Sequence, residues 1–225
     1  GDDLQAVWVV RRDADENLTD EVNSLAVKYH GFAGDAEYDL LAASHYEDWI
    51  VAGGGSFSWG GAIVRGDLTV TDTEDDTVLS AVTSLSYSWV GFGKNMSGVL
   101  EYYHNGFGLQ EGFNQADLEN NPDLLSRLAR GELFNLGKHY LGGGVLVEMS
   151  PLFSLTPNMF LNLADQSFLA QLVANWDVSQ NWQMLLALNL PVGDQGTEFG
   201  GFESTLEGVE FSQGASVFTQ LAIYF

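Results

Sequence analysis

Residues Ala215–Phe225, ASVFTQLAIYF, decide how the rest of the chain is read. Val217, Thr219, Leu221, Ile223 and Phe225 fall on one side of an extended chain, and Ser216, Gln220 and Ala222 on the other. A period of two is the signature of a strand with one apolar and one polar face; a helix would spread these residues around its axis. The pattern repeats upstream. Leu79, Ala81, Leu85, Tyr87 and Trp89 alternate with Ser80, Ser84, Ser86 and Ser88, and Ala62, Val64, Leu68 and Val70 with Arg65, Asp67 and Thr69. Tyr38, Leu40 and Ala42 likewise oppose Glu37, Asp39, His45 and Glu47.

Punctuation by Gly, Asn, Asp and Pro clusters predicts about twelve such segments. They are 3–12, 22–32, 36–46, 49–59, 62–72, 77–89, 95–106, 138–149, 158–163, 168–177, 182–192 and 215–225. Most are near ten residues, the length with which a tilted strand crosses a hydrocarbon core. The connections alternate in length. Residues 13–21, 107–137 and 193–214 are long and emerge at one end of the strands, while the Gly60–Gly61 and Asp177–Asn181 turns stay at the other. Trp59, Trp89, Trp176 and Trp182 all fall on apolar faces at the turn end, with Tyr224 and Phe225 at the same level. An indole prefers the membrane interface, where its ring is buried and its N–H stays wet.

Composition narrows the function classes. The 225 residues carry 8 Lys and Arg against 31 Asp and Glu, a formal net charge of −23, which argues against binding nucleic-acid phosphates. With no Cys there is no disulfide, thiolate metal site or thiol nucleophile. No apolar run approaches the roughly 18 residues of a spanning helix; Met184–Leu190 is far too short and contains Asn189. In lipid, strands can span only as a closed barrel, because every backbone polar group must be paired internally. The expected fold is therefore all-β: one domain over 1–225, an antiparallel transmembrane β-barrel of about twelve strands, with one short helix in a long extracellular loop. A soluble sandwich or lipocalin-like fold is the competing architecture, since alternation alone would also fit a sheet packed on a core.

The final strand with its terminal Phe225 resembles the assembly signal of Gram-negative outer-membrane β-barrels. The run Glu101-Tyr102-Tyr103-His104-Asn105-Gly106-Phe107-Gly108, with Gly137-Lys138-His139-Tyr140 later, is similar to uncharacterised porin-like barrels. That resemblance implies a bacterial outer-membrane location, surrounding lipids, and the barrel-assembly machinery as a partner through the C-terminal strand. Such relatives are often longer, which implies an N-terminally incomplete chain.

By parity, Lys28, His30, Glu37, Asp39, His45, Glu47, Arg65, Asp67, Glu101, Lys138 and Glu148 line the lumen. They could act as a cation-favouring passage, with Arg65, Asp67, Glu101 and Glu148 setting its field, or as an ionic network that stiffens the wall. In loop 107–137, Asn121 as N-cap, Pro122 at the first helical position and Asp123 in the first turn predict a helix with an apolar stripe of Leu124, Leu125, Leu128 and Ala129. Its Arg127 and Arg130 are the candidates for a constriction facing the acidic wall; the alternative is a helix that caps the rim.

The acidic stretches Asp13–Glu21, Asp72–Asp76 and Asp194–Glu210 offer hard oxygen ligands, but no spacing matches an EF-hand, and solvated surface charge is the simpler account. His30 and His139 have no metal-ligand spacing, so no metal site is expected. Gly53–Gly55 and Gly142–Gly144 lie within strand patterns and read as close packing in a tight wall rather than as phosphate loops. As a base for a lipid hydrolase, His104 is the best candidate, but nothing in the spacing sets a base beside Ser24, Ser44 or Ser56. The expectation is a non-enzymatic, cofactor-free channel for passive diffusion of small hydrophilic solutes, cations favoured. A plugged structural or complex-forming barrel, a translocator for exported protein and a lipid hydrolase are the alternatives. A homo-oligomer or protein partner stays open.

Overall fold

The computed structural model describes residues 1–13, 15–19, 21–110, 114–203, 210–211 and 214–225. Ten strands precede the last long hairpin: β1 (Asp3–Val9), β2 (Ser24–Ala33), β3 (Ala36–His45), β4 (Asp48–Trp59), β5 (Ala62–Asp72), β6 (Thr77–Gly91), β7 (Lys94–His104), β8 (His139–Ser150), β9 (Phe153–Asn162) and β10 (Phe168–Ser179). They are followed by β11 (Trp182–Val192), the short pair β12 (Phe202–Glu203) and β13 (Glu210–Phe211), and β14 (Ser216–Ile223). All the long strands form one twelve-stranded sheet in the order β1 through β11, then β14; β12 and β13 pair separately. Each long strand thus lies beside its neighbour in sequence, a meander.

Backbone contacts divide the chain into a first unit, Gly1–Leu85 with His104–Gly106, and a second, Ser86–Tyr103 with Phe107–Phe225. In the first unit the connections at one end of the strands are the pairs 34–35 and 60–61, and at the other 10–23, 46–47 and 73–76. In the second, the pairs 92–93, 151–152 and 180–181 share one end, and 163–167 and 193–215 share the other. Turn chemistry explains the tight pairs. Gly60 and Gly61 both take positive φ, 57° and 86°, which suits the right-handed twist of a two-residue hairpin. Tyr46 and Glu47 do the same at 49° and 70° without the glycine's freedom. Glu47, expected on the polar face of β3, is therefore a turn residue outside the strand.

The predicted segment 158–163 falls short of the strand that the structure shows. Strand β9 runs through it from Phe153, and a two-residue turn replaces the expected connection 150–157. Proline lacks the ladder donor. The strand accommodates this by keeping Pro157 paired with Leu172 of β10, while its pairing with β8 skips from Asn158 to Leu155. Pro191 in β11 pairs with Leu169, and the ladder to β14 stops earlier, at Asn189 with Ser216.

Loop 105–138 holds two helices, not one: α1 (Gln115–Glu119) and α2 (Pro122–Ala129). Asn121 caps α2 by accepting from the Leu124 N–H at 3.1 Å, with Pro122 in the first turn. The fold has hardly any core. Among the described residues the buried apolar ones are Leu124, Tyr140, Ala187 and Phe202. By contrast, Leu25, Val27, Leu40, Val51, Leu68 and Val70 of the first unit, and Leu172, Leu188, Leu190, Val217 and Leu221 of the second, are exposed. No sandwich could leave those faces open, for burying them is what would hold its two sheets together.

Candidate functional site

Register sets a polar face within each unit. In the first unit Lys28 lies opposite Leu41 and His30 opposite Asp39, while Asp39 is opposite Gly54 and Gly54 opposite Asp67. Lys28 Nζ and His30 Nδ1 each sit 3.0 Å from Asp39 Oδ1, so one carboxylate serves two cationic or polar partners. A Cβ on Gly54 would overlap Asp67 Oδ1, so the Asp67 side chain lies across the β4 backbone. Arg65 is opposite Ser56, and Glu37 is opposite Ser56 from the other side. This much places Lys28, Glu37, Asp39, His45, Arg65 and Asp67 on one face.

His45 meets a partner that sequence spacing did not show. Ser24 and His45 are directly opposed in β2 and β3, with Ser24 Oγ 2.6 Å from His45 Nδ1. Arg11 donates to the same Ser24 oxygen at 2.6 Å and to the Val22 carbonyl at 3.1 Å, and its guanidinium lies 5.0 Å from the Tyr46 ring centre. The expectation that no serine has a base within reach is thus corrected. Register, not a motif, makes the contact, and the Arg11 bonds tie the 10–23 connection to the strand ends.

On the second unit's polar face, Asn95 donates to Glu148 Oε2 at 2.7 Å, and Ser88 and Ser97 share a hydrogen bond at 3.0 Å. Glu101 has the same parity in β7 as Asn95 and Ser97. Lys138 stands just before β8 rather than in it. Further along the sheet the ions give way to amides. Asn158 Nδ2 donates to Gln171 Oε1 (3.1 Å), Gln171 Nε2 to Asn189 Oδ1 (2.8 Å), and Asn189 Nδ2 to Ser216 Oγ (3.1 Å). This head-to-tail chain crosses four strands. Gly144 makes room for it, since a Cβ there would overlap Asn158 Oδ1.

Trp59, Trp176 and Trp182 lie exposed on the apolar face beside two-residue turns. Trp89 covers Gly98, whose added Cβ would stand 3.0 Å from the indole. Phe153 meets Trp176 edge to face with ring centres 6.5 Å apart. Tyr224, expected in this belt, turns instead to the polar side: its hydroxyl donates to Gln183 Oε1 at 3.1 Å, and Gln183 is opposite Ala222 on the polar face. Phe225 stays fully exposed.

At the long-connection end of the second unit the residues form a clasp. Glu198, only 8% exposed, accepts from the Leu136 N–H at 2.8 Å, the Tyr140 hydroxyl at 2.6 Å and Asn162 Nδ2 at 2.9 Å. The Glu198 N–H donates to Asp165 Oδ2 at 2.7 Å, while Asp165 Oδ1 accepts from Ser167 N–H and Oγ, both at 2.8 Å. Burial pushes the Glu198 carboxyl above the usual carboxylate range, against the downward pull of its donors Tyr140, Leu136 and Asn162. Three connections, 105–138, 163–167 and 193–203, are joined at this residue, the first through its carboxylate and the second through its N–H. The sequence reading saw only an acidic loop there.

The α2 helix is fastened within its own loop. Arg127, 5% exposed, is 3.1 Å from Asp123 Oδ1 and lies 3.8 Å over the Phe107 ring centre. Arg130 pairs with Glu132 at 2.7 Å. These ion pairs are internal to the loop, which is closer to the rim-capping alternative than to a constriction in which both cations face the acidic wall. Leu124, fully buried, is the anchor beneath them.

The remaining candidates are quickly placed. His139 Nδ1 is 2.8 Å from the Tyr102 hydroxyl, with the rings stacked at 6.2 Å; His104 ends β7. Asp13 Oδ1 accepts from the N–H groups of Asp15 and Asn17, and Asp72 accepts from the Thr77 hydroxyl. No group of three His, Asp or Glu gathers for a metal among the described residues. Residues 204–209 of the stretch Asp194–Glu210 lie outside them.

The chain matches no protein-family model and no curated protein. Among solved structures it is similar to one described as the NanC porin in a rhombohedral crystal form, at 9% identity and a TM-score of 0.39, over 100% of this chain and 99% of that one. A likeness so loose bears no weight here.

Proposed function

We propose that this chain is a porin-like channel of the bacterial outer membrane, through which small hydrophilic solutes diffuse passively. The observation that carries the reading is the sheet's two-sidedness without a core. One face is apolar and uncovered in both units, and the other carries ions and amides in register. Water is a poor solvent for the first face and acyl chains a poor one for the second. Lipid around the apolar face and water along the polar face satisfy both. In a bilayer the edges β1 and β14 also need partners, and closure into a barrel supplies them. Within each unit one end carries only two-residue turns and the long connections lie at the other, beside the pair 46–47 in the first unit, which fits the same architecture. The excess of Glu37, Asp39, Asp67, Glu101 and Glu148 over Lys28 and Arg65 on the polar face supports a bias toward cations.

Single-channel recording on the purified chain in planar bilayers is the test. Steady conductance with cation-over-anion permeability is expected. A protein that stays monodisperse without detergent, and whose tryptophan fluorescence ignores liposomes, would sink the membrane reading itself. Silent insertion would instead favour a plugged barrel. The specific support for that second reading is the loop layer built on Leu124, Arg127 and the Glu198 clasp.

A further inference from the structure

We infer that the polar face of β9, β10, β11 and β14 is a binding track for uncharged polyhydroxylated solutes of monosaccharide size. The inference rests on the channel reading and deepens it by naming a solute class. In the chain Asn158, Gln171, Asn189, Ser216, the amides of Gln171 and Asn189 are each fixed by one bond in and one bond out. An amide has two N–H donors and a carbonyl with two lone pairs. Gln171 and Asn189 therefore each keep one donor and one acceptor for a visitor. A hydroxyl group offers the same pair in return. A cation could use only the carbonyls and an anion only the N–H groups, so the track is matched to hydroxyls rather than to charge.

A second feature lies on the same face toward the turn end. A depression of about 220 Å³ is lined there by Asn175, Asp177, Gln183, Gln220 and Tyr224, with Trp176, Met184, Leu185 and Ala222 as its apolar part. Asn175 is four residues from Gln171 along β10, about 14 Å at the strand rise of about 3.4 Å per residue. Its make-up suits a sugar ring: amides and one carboxylate for the hydroxyls, and a small apolar surface with a Tyr edge for the C–H face. The track and the depression together give a hydroxylated solute successive sites of similar chemistry, which is what conduction through binding requires.

The experiment is saturation-transfer NMR on the full chain in detergent micelles, with glucose as the probe and glucosamine and potassium chloride as controls. Glucose should receive saturation from the protein. Gln220→Leu, in the depression, and Gln171→Leu, in the track, should each weaken it about threefold to tenfold, the loss of one hydrogen bond expressed as a binding ratio. Gln220 is exposed, so its change tests the idea even where Gln171→Leu fails to fold. No transfer to glucose, or transfer unchanged by both substitutions, overturns the inference. Glucosamine binding more tightly than glucose overturns it too, since recognition would then lie with carboxylates. Steady conductance without glucose binding sinks the track and leaves the channel; glucose binding without conductance does the reverse.

Discussion

On the first unit's polar face, Lys28, His30 and Asp39 meet as ions and near-ions at 3.0 Å. On the second unit's, Asn158, Gln171, Asn189 and Ser216 hand hydrogen bonds along a neutral chain. The two answer one question, how a sheet keeps polar groups satisfied on a face with no core behind it, with different electrostatics. The ionic version is strong only where water and salt are scarce, while the amide version also competes with water but barely depends on salt. Each unit nevertheless has an uncovered apolar face, and that is where a perturbation should cost most.

The largest effect is expected there, and it breaks the comparison if it is unequal. Val27 and Leu172 are exposed apolar residues in the middle of β2 and β10. Val27→Arg and Leu172→Arg should each destabilise the protein folded in lipid vesicles by about 2–4 kcal/mol, read by urea titration of tryptophan fluorescence. Lipid contact in only one unit would show as a cost in only one variant.

Next in size is the clasp, a device seen in the second unit. Glu198→Ala would leave the Tyr140 hydroxyl and the Asn162 amide without their shared acceptor, a loss of about 1–3 kcal/mol. It should appear as faster proteolysis within 193–203. The pH dependence follows from burial raising the Glu198 carboxyl. Its folded pKa lies above the unfolded value, so its stabilisation is whole below the unfolded value and is lost as pH rises through the folded one. Docking of 193–203 should therefore be tighter in acid than at neutral pH. Glu198→Gln should keep most of the docking and flatten the pH profile; a profile that persists in that variant would remove Glu198 as its source.

The strands were legible because a half-buried period of two is a local signal, and eleven of the twelve long ones lie where alternation put them. The exception, the first half of β9, shows the limit of local rules. Pro157 breaks a ladder on one side only, and whether that side has a strand to spare is a tertiary fact. Helix α1 had no Pro or apolar stripe to announce it, while the Asn121–Pro122 start of α2 did. Contacts set by register were invisible for the same reason. Ser24 meets His45 across 21 residues, and Glu198 meets Tyr140 across 58, with nothing in either neighbourhood to pair them. Tyr224 was misassigned by its proximity to Phe225, although its parity with Gln220 and Ala222 already put it on the polar side. Composition could signal an acidic, strand-rich wall, but not where on it the ion pairs and the amide chain would form.

The smallest effect is the one that sharpens that last contrast. The Lys28 and Asp39 side chains are 41% and 40% exposed, so their pair is screened by solvent and should contribute up to about 1 kcal/mol. Lys28→Ala should therefore cost little at low salt and almost nothing at 1 M, where the Debye length falls to about 3 Å. Gln171→Leu removes one bond from Asn158 and one to Asn189, both short-range and uncharged. Its cost, about 1 kcal/mol for each bond lost, should be the same at both salt concentrations. Urea titrations of the two variants at low and high salt would thus separate an ionic from an amide face by slope rather than by size. Equal salt dependence in both would mean that the two faces share one electrostatic environment, and that the amide chain stands in the field of the charges.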